Sequence, residues 1–140
     1  MDDVDVKIVE LLRQDGRKTL RELKEVLGIS EPAIQKRINK LMKEGIIKRY
    51  TIEVDEKKIG YGVSSFLGVD IDPEALVDVQ AKLKEFLEIK GLYLTTGDHS
   101  LVAYVECKDQ NDFSELISKK LTAINGIRKI YPSIILEKVK

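Results

Sequence analysis

Six basic side chains crowd a short stretch of the sequence, and their chemistry suits the binding of phosphate groups. Glu44 is the only acid between the first and the last of them. Cationic groups at this density can neutralise the phosphates of a nucleic acid. The alternative is a solvated helix face without a partner, and the stripe alone does not separate the two. The six residues are Lys36, Arg37, Lys40, Lys43, Lys48 and Arg49.

A second group of chemically capable residues, Asp98-His99-Ser100, contains the side-chain types of a hydrolase triad. Three consecutive side chains cannot easily point at one another, and triads are built from separated segments. The sequence has no nucleophile elbow and no phosphate-cradling glycine loop. Its one histidine and one cysteine cannot form a zinc site without much help from carboxylate ligands. We therefore expect a protein that is not an enzyme, with no catalytic residue, metal or cofactor.

The composition is that of a globular protein with one domain or two small ones. Of its 140 residues 43% are hydrophobic and 34% are charged. No apolar run approaches the roughly 18 residues of a membrane helix, and the acidic start, Met1 to Asp5, does not resemble a secretory signal. The lone Cys107 fits a reducing compartment. We expect a cytoplasmic protein.

The first half of the sequence predicts three short helices. Val4, Ile8 and Leu11 recur at helical spacing in the first, which ends at Asp15-Gly16. The second and third helices have start signals, caps and buried stripes of their own. Thr19 and Glu22 form a capping-box pattern, Gly28 closes the second helix, Ser30 and Pro32 open the third, and Ile34, Ile38 and Leu41 form its inner stripe.

Two helices joined by a turn of about three residues that contains glycine have the spacing of a helix-turn-helix. Gln35, Lys36 and Lys40 point away from the apolar stripe of the third helix, and only a partner gives that outer face a use beyond solubility. Amphipathic helix pairs are common, so spacing alone favours DNA binding without establishing it.

The second half of the sequence follows the order β-α-β-β-α-β, which predicts a ferredoxin-like fold. Such a sheet leaves one face bare, and a bare apolar face in so small a domain is usually covered by a second copy. We therefore expect a homodimer. The predicted elements are strands Val63–Ile71, Leu92–Thr96, Leu101–Cys107 and Ile127–Val139, a helix from Asp72 through Leu87 closed by Gly91, and a helix over Asp109–Thr122.

The predicted organisation of this α+β protein is a DNA-binding domain, a linker and a sheet domain. Residues 1–50 form a three-helix domain of the winged or helix-turn-helix type. Residues 51–62 are an extended hinge with a polar turn and two glycines, and residues 63–140 are the βαββαβ domain through which two copies assemble.

Several short strings, in this order, resemble the Lrp/AsnC or feast/famine transcription regulators of bacteria and archaea. The resemblance covers nearly the whole chain and is closest to archaeal members. Its strings include Asp15-Gly16-Arg17, Leu20-Arg21-Glu22-Leu23, Leu27-Gly28-Ile29-Ser30, Arg37-Ile38-Asn39-Lys40-Leu41, Glu44-Gly45-Ile46-Ile47 and Thr95-Thr96-Gly97-Asp98.

The resemblance implies that the third helix enters the major groove of double-stranded DNA. The positions that then face the bases are Glu31, Pro32, Gln35 and Lys36, with Gln35 suited to adenine and Lys36 to guanine. The positions that meet phosphates are Ser30, Arg37, Lys40 and Lys43. For Arg37 an intramolecular salt bridge is the alternative.

The resemblance also implies an ACT-like effector domain, in which an amino acid binds between dimers that assemble into tetramers or octamers. The implied ligand-binding residues are Thr96, Gly97, Asp98, His99, Tyr131, Pro132 and Ser133. Here His99 and Ser100 stand where the family usually has an aromatic residue and a second aspartate. The string from Thr95 to His99 is similar to an archaeal subgroup linked to lysine metabolism, which makes lysine one candidate. An ordinary hairpin turn is the alternative.

Two other functions share parts of this pattern. Some proteins similar to this family are sirohaem decarboxylase subunits, which use histidine and arginine. The single His99, with only Arg128 as an arginine in the second half, argues against that function. A regulatory partner of a metabolic enzyme, using the sheet domain alone, has no need of the basic third helix.

Overall fold

The computed structural model describes all 140 residues, which form two compact units, Met1–Glu53 and Val54–Lys140. The division falls inside the segment 51–62. Each unit encloses an apolar cluster of its own. None of the helices combines the length and apolarity that crossing a bilayer requires.

The first unit consists of helices α1 (Asp3–Gln14), α2 (Leu20–Leu27) and α3 (Glu31–Lys43). Their inner stripes meet in one core, where Ile8, Leu23, Ile34 and Leu41 are fully buried and Leu11 and Ile38 nearly so. This confirms the helical periodicity. The unit contains no β-strand, and residues 46–53, which follow α3, run without strand pairing.

Capping residues define where α2 and α3 begin and where α2 ends, as predicted. The Thr19 N–H donates to the Glu22 carboxylate (2.7 Å), and the Glu22 N–H donates to the Thr19 hydroxyl (3.2 Å). The Ser30 hydroxyl accepts from the Ala33 N–H at 3.4 Å. Gly28 closes α2 with φ of 69°, a left-handed conformation that favours glycine.

The second unit is a four-stranded antiparallel sheet in the order β2-β3-β1-β4, with both helices on one face. This confirms the ferredoxin-like fold. The elements are β1 (Val63–Ile71), α4 (Leu76–Leu83), β2 (Ile89–Leu94), β3 (Leu101–Cys107), α5 (Gln110–Glu115, continued by a π-helical turn Leu116–Leu121) and β4 (Ile127–Ile134).

The two faces of the sheet differ in character because β1 alternates. Val63, Ser65, Leu67, Val69 and Ile71 are all buried on the helix side, as predicted. The other side, which we call the open face, carries the even-numbered residues of β1 and the residues paired with them. These are Ser64, Phe66, Gly68 and Asp70 of β1, Val102, Tyr104 and Glu106 of β3, Lys129, Tyr131 and Ser133 of β4, and Gly91 and Tyr93 of β2.

Strand β4 is one edge of the sheet, and Pro132 lies in it opposite Leu67. The N–H of Ile135, just after the strand, donates to the Ser64 carbonyl of β1 at 2.8 Å. Since the direction of backbone groups alternates along a strand, the nitrogen of Pro132 faces away from β1. That nitrogen carries no hydrogen, as is tolerated at an edge.

Four predicted boundaries in the second unit are wrong, among them the end of β2, which lies at Leu94 and not at Thr96. Helix α4 ends at Leu83, and Phe86 packs against the core while Leu87 is 85% exposed, because the chain leaves the helix through tight turns. Gly91 does not close the helix. It lies within β2 at a register shift, so the strand begins earlier, at Ile89. Strand β4 ends at Ile134 and does not reach Val139.

Candidate nucleic-acid interface and effector turn

Helices α2 and α3 are joined by three residues, 28–30, and form a helix-turn-helix. Helix α3 buries Ile34, Ile38 and Leu41 on one side. Its other side is exposed and polar over most of its length. The exposed residues of α3 are Pro32, Gln35, Lys36, Asn39, Lys40, Met42 and Lys43.

The four positions predicted to face bases lie in the first half of α3. Pro32, Gln35 and Lys36 are exposed, and Glu31 is half-buried. The Gln35 amide donates to the Asn39 side chain at 2.8 Å, so these two amides lie side by side, one helical turn apart. Glutamine and asparagine amides match the donor and acceptor of adenine in the major groove. Asn39 was not among the predicted residues, although its spacing from Gln35 could have identified it.

Arg37 is held by two carboxylates of the first helix. Its Nη1 donates to both Asp2 oxygens (2.9 and 2.8 Å) and to Asp5 Oδ1 at 2.7 Å. The Asp5 side chain is only 4% exposed, and that of Arg37 is 32% exposed. The intramolecular alternative for Arg37 is therefore realised. Only Nη1 makes these bonds, so the other guanidinium nitrogens could still reach a phosphate. The positive charge of Arg37 is, however, already neutralised by Asp2 and Asp5.

Lys40 and Lys43 are two of the residues predicted to contact phosphates. Their intramolecular ion pairing is weaker than that of Arg37. Lys40 is 3.9 Å from the Glu44 carboxylate, with more than half of its side chain exposed. Lys43 is exposed and forms no ion pair. Ser30 accepts the Ala33 N–H as the cap of α3, which leaves its hydroxyl hydrogen available to a phosphate oxygen.

The two acids that hold Arg37 also cap α1. The Asp2 N–H donates to Asp5, and the Asp5 N–H donates to Asp2, at 3.0 and 2.9 Å. The Arg37 guanidinium, followed by these backbone bonds, lowers the pKa of both carboxyl groups below the ordinary value of 3.8. Asp2 and Asp5 were not predicted as partners of Arg37, because the contact joins residues more than thirty positions apart.

We expect the first unit to lose stability in acid because of this cluster. A carboxyl whose pKa is lowered by folding stabilises the fold fully above its unfolded value of 3.8, and this contribution disappears as pH falls through the lower folded value. Thermal unfolding should show that Asp5→Asn lowers the Tm at pH 6 and lowers it less at pH 3. Asp3→Asn, in the same helical turn but without a partner, is the control. An equal loss at both pH values would contradict the cluster's role.

The turn that joins β2 to β3, residues 95–100, is tied closely to the sheet. The Thr95 hydroxyl donates to the His99 carbonyl at 2.8 Å, and the Ser100 N–H donates to the Val69 carbonyl at 3.1 Å. Its tip is exposed, with Gly97 at φ of 111° and Asp98 free of ion pairs. An exposed carboxylate beside a glycine offers a charge for an ammonium group and open backbone amides.

The structure brings together only some of the predicted ligand-binding residues. The His99 ring lies against Tyr131, with centroids 4.8 Å apart. Tyr131 and Ser133 are on the open face, whereas Pro132 points to the other side of the sheet. Thr96, Gly97 and Asp98 remain at the exposed tip.

A cleft of about 310 Å³ in the same unit contains none of the predicted ligand-binding residues. It is lined mainly by charged side chains, among them Glu88 and Lys120, which form an ion pair at 3.0 Å. Cys107, at the far end of β3 from the turn, also lines it. The cleft and the turn therefore lie at opposite ends of β3.

Two family models match the sequence. The first, described as a winged helix-turn-helix DNA-binding domain, matches residues 1–48. The second, described as the Lrp/AsnC ligand binding domain, matches residues 64–140. Together they account for both compact units.

Named relatives and solved structures that are similar to this chain agree with these matches. The HTH-type transcriptional regulators LrpA of Pyrococcus abyssi and Pyrococcus horikoshii are 43% and 44% identical, over all of this chain and 99% of theirs. The structure of Escherichia coli AsnC has a TM-score of 0.88 at 28% identity and covers the whole chain and 95% of its own. A Neisseria meningitidis regulator, solved as a complex with L-Met, has a TM-score of 0.91 at 25% identity and covers the whole chain and 92% of its own.

Proposed function

Because the chain belongs to the Lrp/AsnC family and is a transcription regulator with a helix-turn-helix DNA-binding domain, we propose that it binds a repeated operator as a homodimer. We also propose that a free amino acid modulates this binding. The domains are then residues 1–50 for DNA, 51–62 as a hinge and 63–140 for sensing and assembly. The protein acts in the cytoplasm on the cell's own promoters.

The exposed side of α3 supports the DNA contacts. Gln35, Lys36 and Asn39 present polar groups to base edges, flanked by Glu31 and Pro32 at the start of the helix. Ser30, Lys40 and Lys43 meet the backbone phosphates, and Arg37 adds the nitrogens that Asp2 and Asp5 leave free. Phosphate contacts fix the position of the helix, and the base contacts select the sequence.

The open face supports pairing with a second copy. Phe66 is 47%, Tyr93 59% and Tyr131 38% exposed, all on the side of the sheet against which neither helix of the second unit packs. Exposed aromatic side chains grouped in this way mark an interaction surface. Pairing of two copies doubles the number of DNA-reading helices, and further association of dimers gives a tetramer or octamer.

Footprinting on upstream regions of the protein's own genome tests the operator proposal. A dimer should protect two half-sites whose centres lie about one helical turn, or a multiple of it, apart. A single, unrepeated region of protection would contradict the paired arrangement. An absence of binding to any genomic fragment at low salt would contradict specific DNA recognition altogether.

The turn 95–100 is the proposed amino-acid site. Asp98 would face the α-ammonium group, and backbone amides beside Gly97 would receive the carboxylate. The L-Met complex of the Neisseria meningitidis regulator supports an amino acid as the ligand class. Lysine and methionine are the first two candidates to test.

We expect at least one of the twenty amino acids, at millimolar concentration, to raise the Tm of the wild-type protein by mass action. Asp98→Asn, which keeps the size and removes the charge, should abolish that increase. Asp78→Asn on α4 is the matched control and should retain it. If no amino acid raises the Tm of the wild type, the protein has no amino-acid effector.

A further inference from the structure

The His99 side chain occupies a place that another residue's side chain would normally fill. Gly68 of β1 lies on the open face, and a Cβ added there would lie 2.3 Å from His99 Cδ2 and 2.5 Å from Nε2. The imidazole therefore rests directly on the backbone of β1. Only glycine at position 68 permits this approach.

Two side chains hold the imidazole in this place. His99 Nδ1 is 2.9 Å from Asp70 Oδ1, and the ring packs against Tyr131 with an interplanar angle of 37°. Lys129 Nζ lies over the Tyr131 ring, 4.7 Å from its centroid. Asp70 and Lys129 are thus the charged groups that lie around the imidazole on the open face.

The backbone joins this contact to the tip of the turn. His99 follows Asp98 directly, its carbonyl accepts from the Thr95 hydroxyl, and the Ser100 hydroxyl accepts from the Ile71 N–H at 3.3 Å. Any movement of Gly97 and Asp98 that shifts these bonds also shifts the imidazole. The position of the turn and the shape of the open face are therefore linked.

We propose that His99 is a positioning residue that couples the effector turn to self-association. With the imidazole seated over Gly68, the turn completes the surface onto which a second copy packs. When the imidazole is displaced, pairing weakens. By thermodynamic linkage, a ligand that moves the turn changes the dissociation constant of the dimer by a certain factor. Pairing must then change the affinity for that ligand by the same factor. This proposal rests on the proposed homodimer and adds its means of regulation.

A double-mutant cycle tests whether the contact between His99 and Gly68 controls pairing. The measured quantity is the dissociation constant of the dimer. The proteins are wild type, His99→Ala, Gly68→Ala and the double variant, measured by sedimentation equilibrium, with circular dichroism as the check on folding. Each single variant should weaken pairing about tenfold, since one loses the imidazole and the other expels it. The double variant should be no weaker than either, because the new methyl group occupies the vacated space.

Two further measurements separate positioning from a general structural effect. His99 is the only histidine of the chain, so its ring protons give isolated NMR signals. In the wild type they should be shifted by the Tyr131 ring, and Gly68→Ala should return them to the values of an exposed histidine. His99→Phe, which keeps a ring over Gly68 and against Tyr131, should retain pairing within about threefold of wild type.

Each outcome bears on a distinct claim. Additive effects in the cycle, or a wild-type imidazole with the signals of an exposed histidine, overturn the coupling while the homodimer stands. A protein that stays monomeric at all concentrations overturns the homodimer and the coupling together. DNA binding by α3 is measured independently and survives either result.

Discussion

Replacement of Lys40 and Lys43 together by alanine will reduce operator affinity and flatten its dependence on salt. Each phosphate neutralised by a cation contributes about 0.9 to the slope of log affinity against log salt concentration. Loss of two such contacts should reduce the slope by about two units and the affinity by about 30-fold near 0.15 M salt. Both lysines are exposed. Lys40 forms only a long ion pair and Lys43 forms none, so the fold should be unaffected.

The control for this experiment is Lys82→Ala with Lys84→Ala, which removes the same charge from exposed positions at the C-terminal end of α4. Fluorescence anisotropy titrations at several salt concentrations give the slopes. Arg37→Ala provides a useful contrast, since Asp2 and Asp5 already balance its charge and its slope should change less. If the α3 and α4 variants have equal slopes, Lys40 and Lys43 do not contact phosphates.

Ile34→Ala will abolish DNA binding by unfolding the first unit while leaving the second intact. Ile34 is fully buried in a cluster built from three short helices. Truncation of a buried isoleucine to alanine costs about 2–5 kcal/mol, and so small a unit has a stability of about 3–5 kcal/mol. The second unit has a separate core, so self-association should persist.

Thermal unfolding by circular dichroism, operator binding and sedimentation together check this result. Met42→Ala, in the same helix but 44% exposed, is the matched control and should leave all three measurements near wild type. If Ile34→Ala also abolished self-association, the two units would not be energetically independent. The proposed division into separate DNA-binding and assembly domains would then be wrong.

The first unit was the part of the fold that sequence reasoning predicted best. Its signals are local: Thr19 and Glu22 are three residues apart, and the stripe Ile34, Ile38 and Leu41 repeats within one helix. Local hydrogen bonds and helical spacing are legible without tertiary information. The alternation of β1 was predicted correctly for the same reason, because it repeats within a single strand.

The errors lie where tertiary packing decides between similar local choices. Leu87 fits the helical spacing of α4, but Phe86 is the residue that packs against the core. The helix ends at Leu83, four residues before Leu87. The partners of Arg37 and the seat of His99 over Gly68 are contacts between distant segments. A single sequence carries no signal for such pairs, so the side chains that position the two candidate sites became visible only in the fold.

The edge proline has a consequence for the kind of particle this protein can form. A strand from another molecule that added to β4 would meet no donor at Pro132, in the middle of the ladder. Open-ended stacking of sheets into fibres is disfavoured at that border, whereas face-to-face contact needs no backbone donors. Association should therefore proceed through sheet faces and not through the β4 edge, even at the high concentrations of a crowded cell.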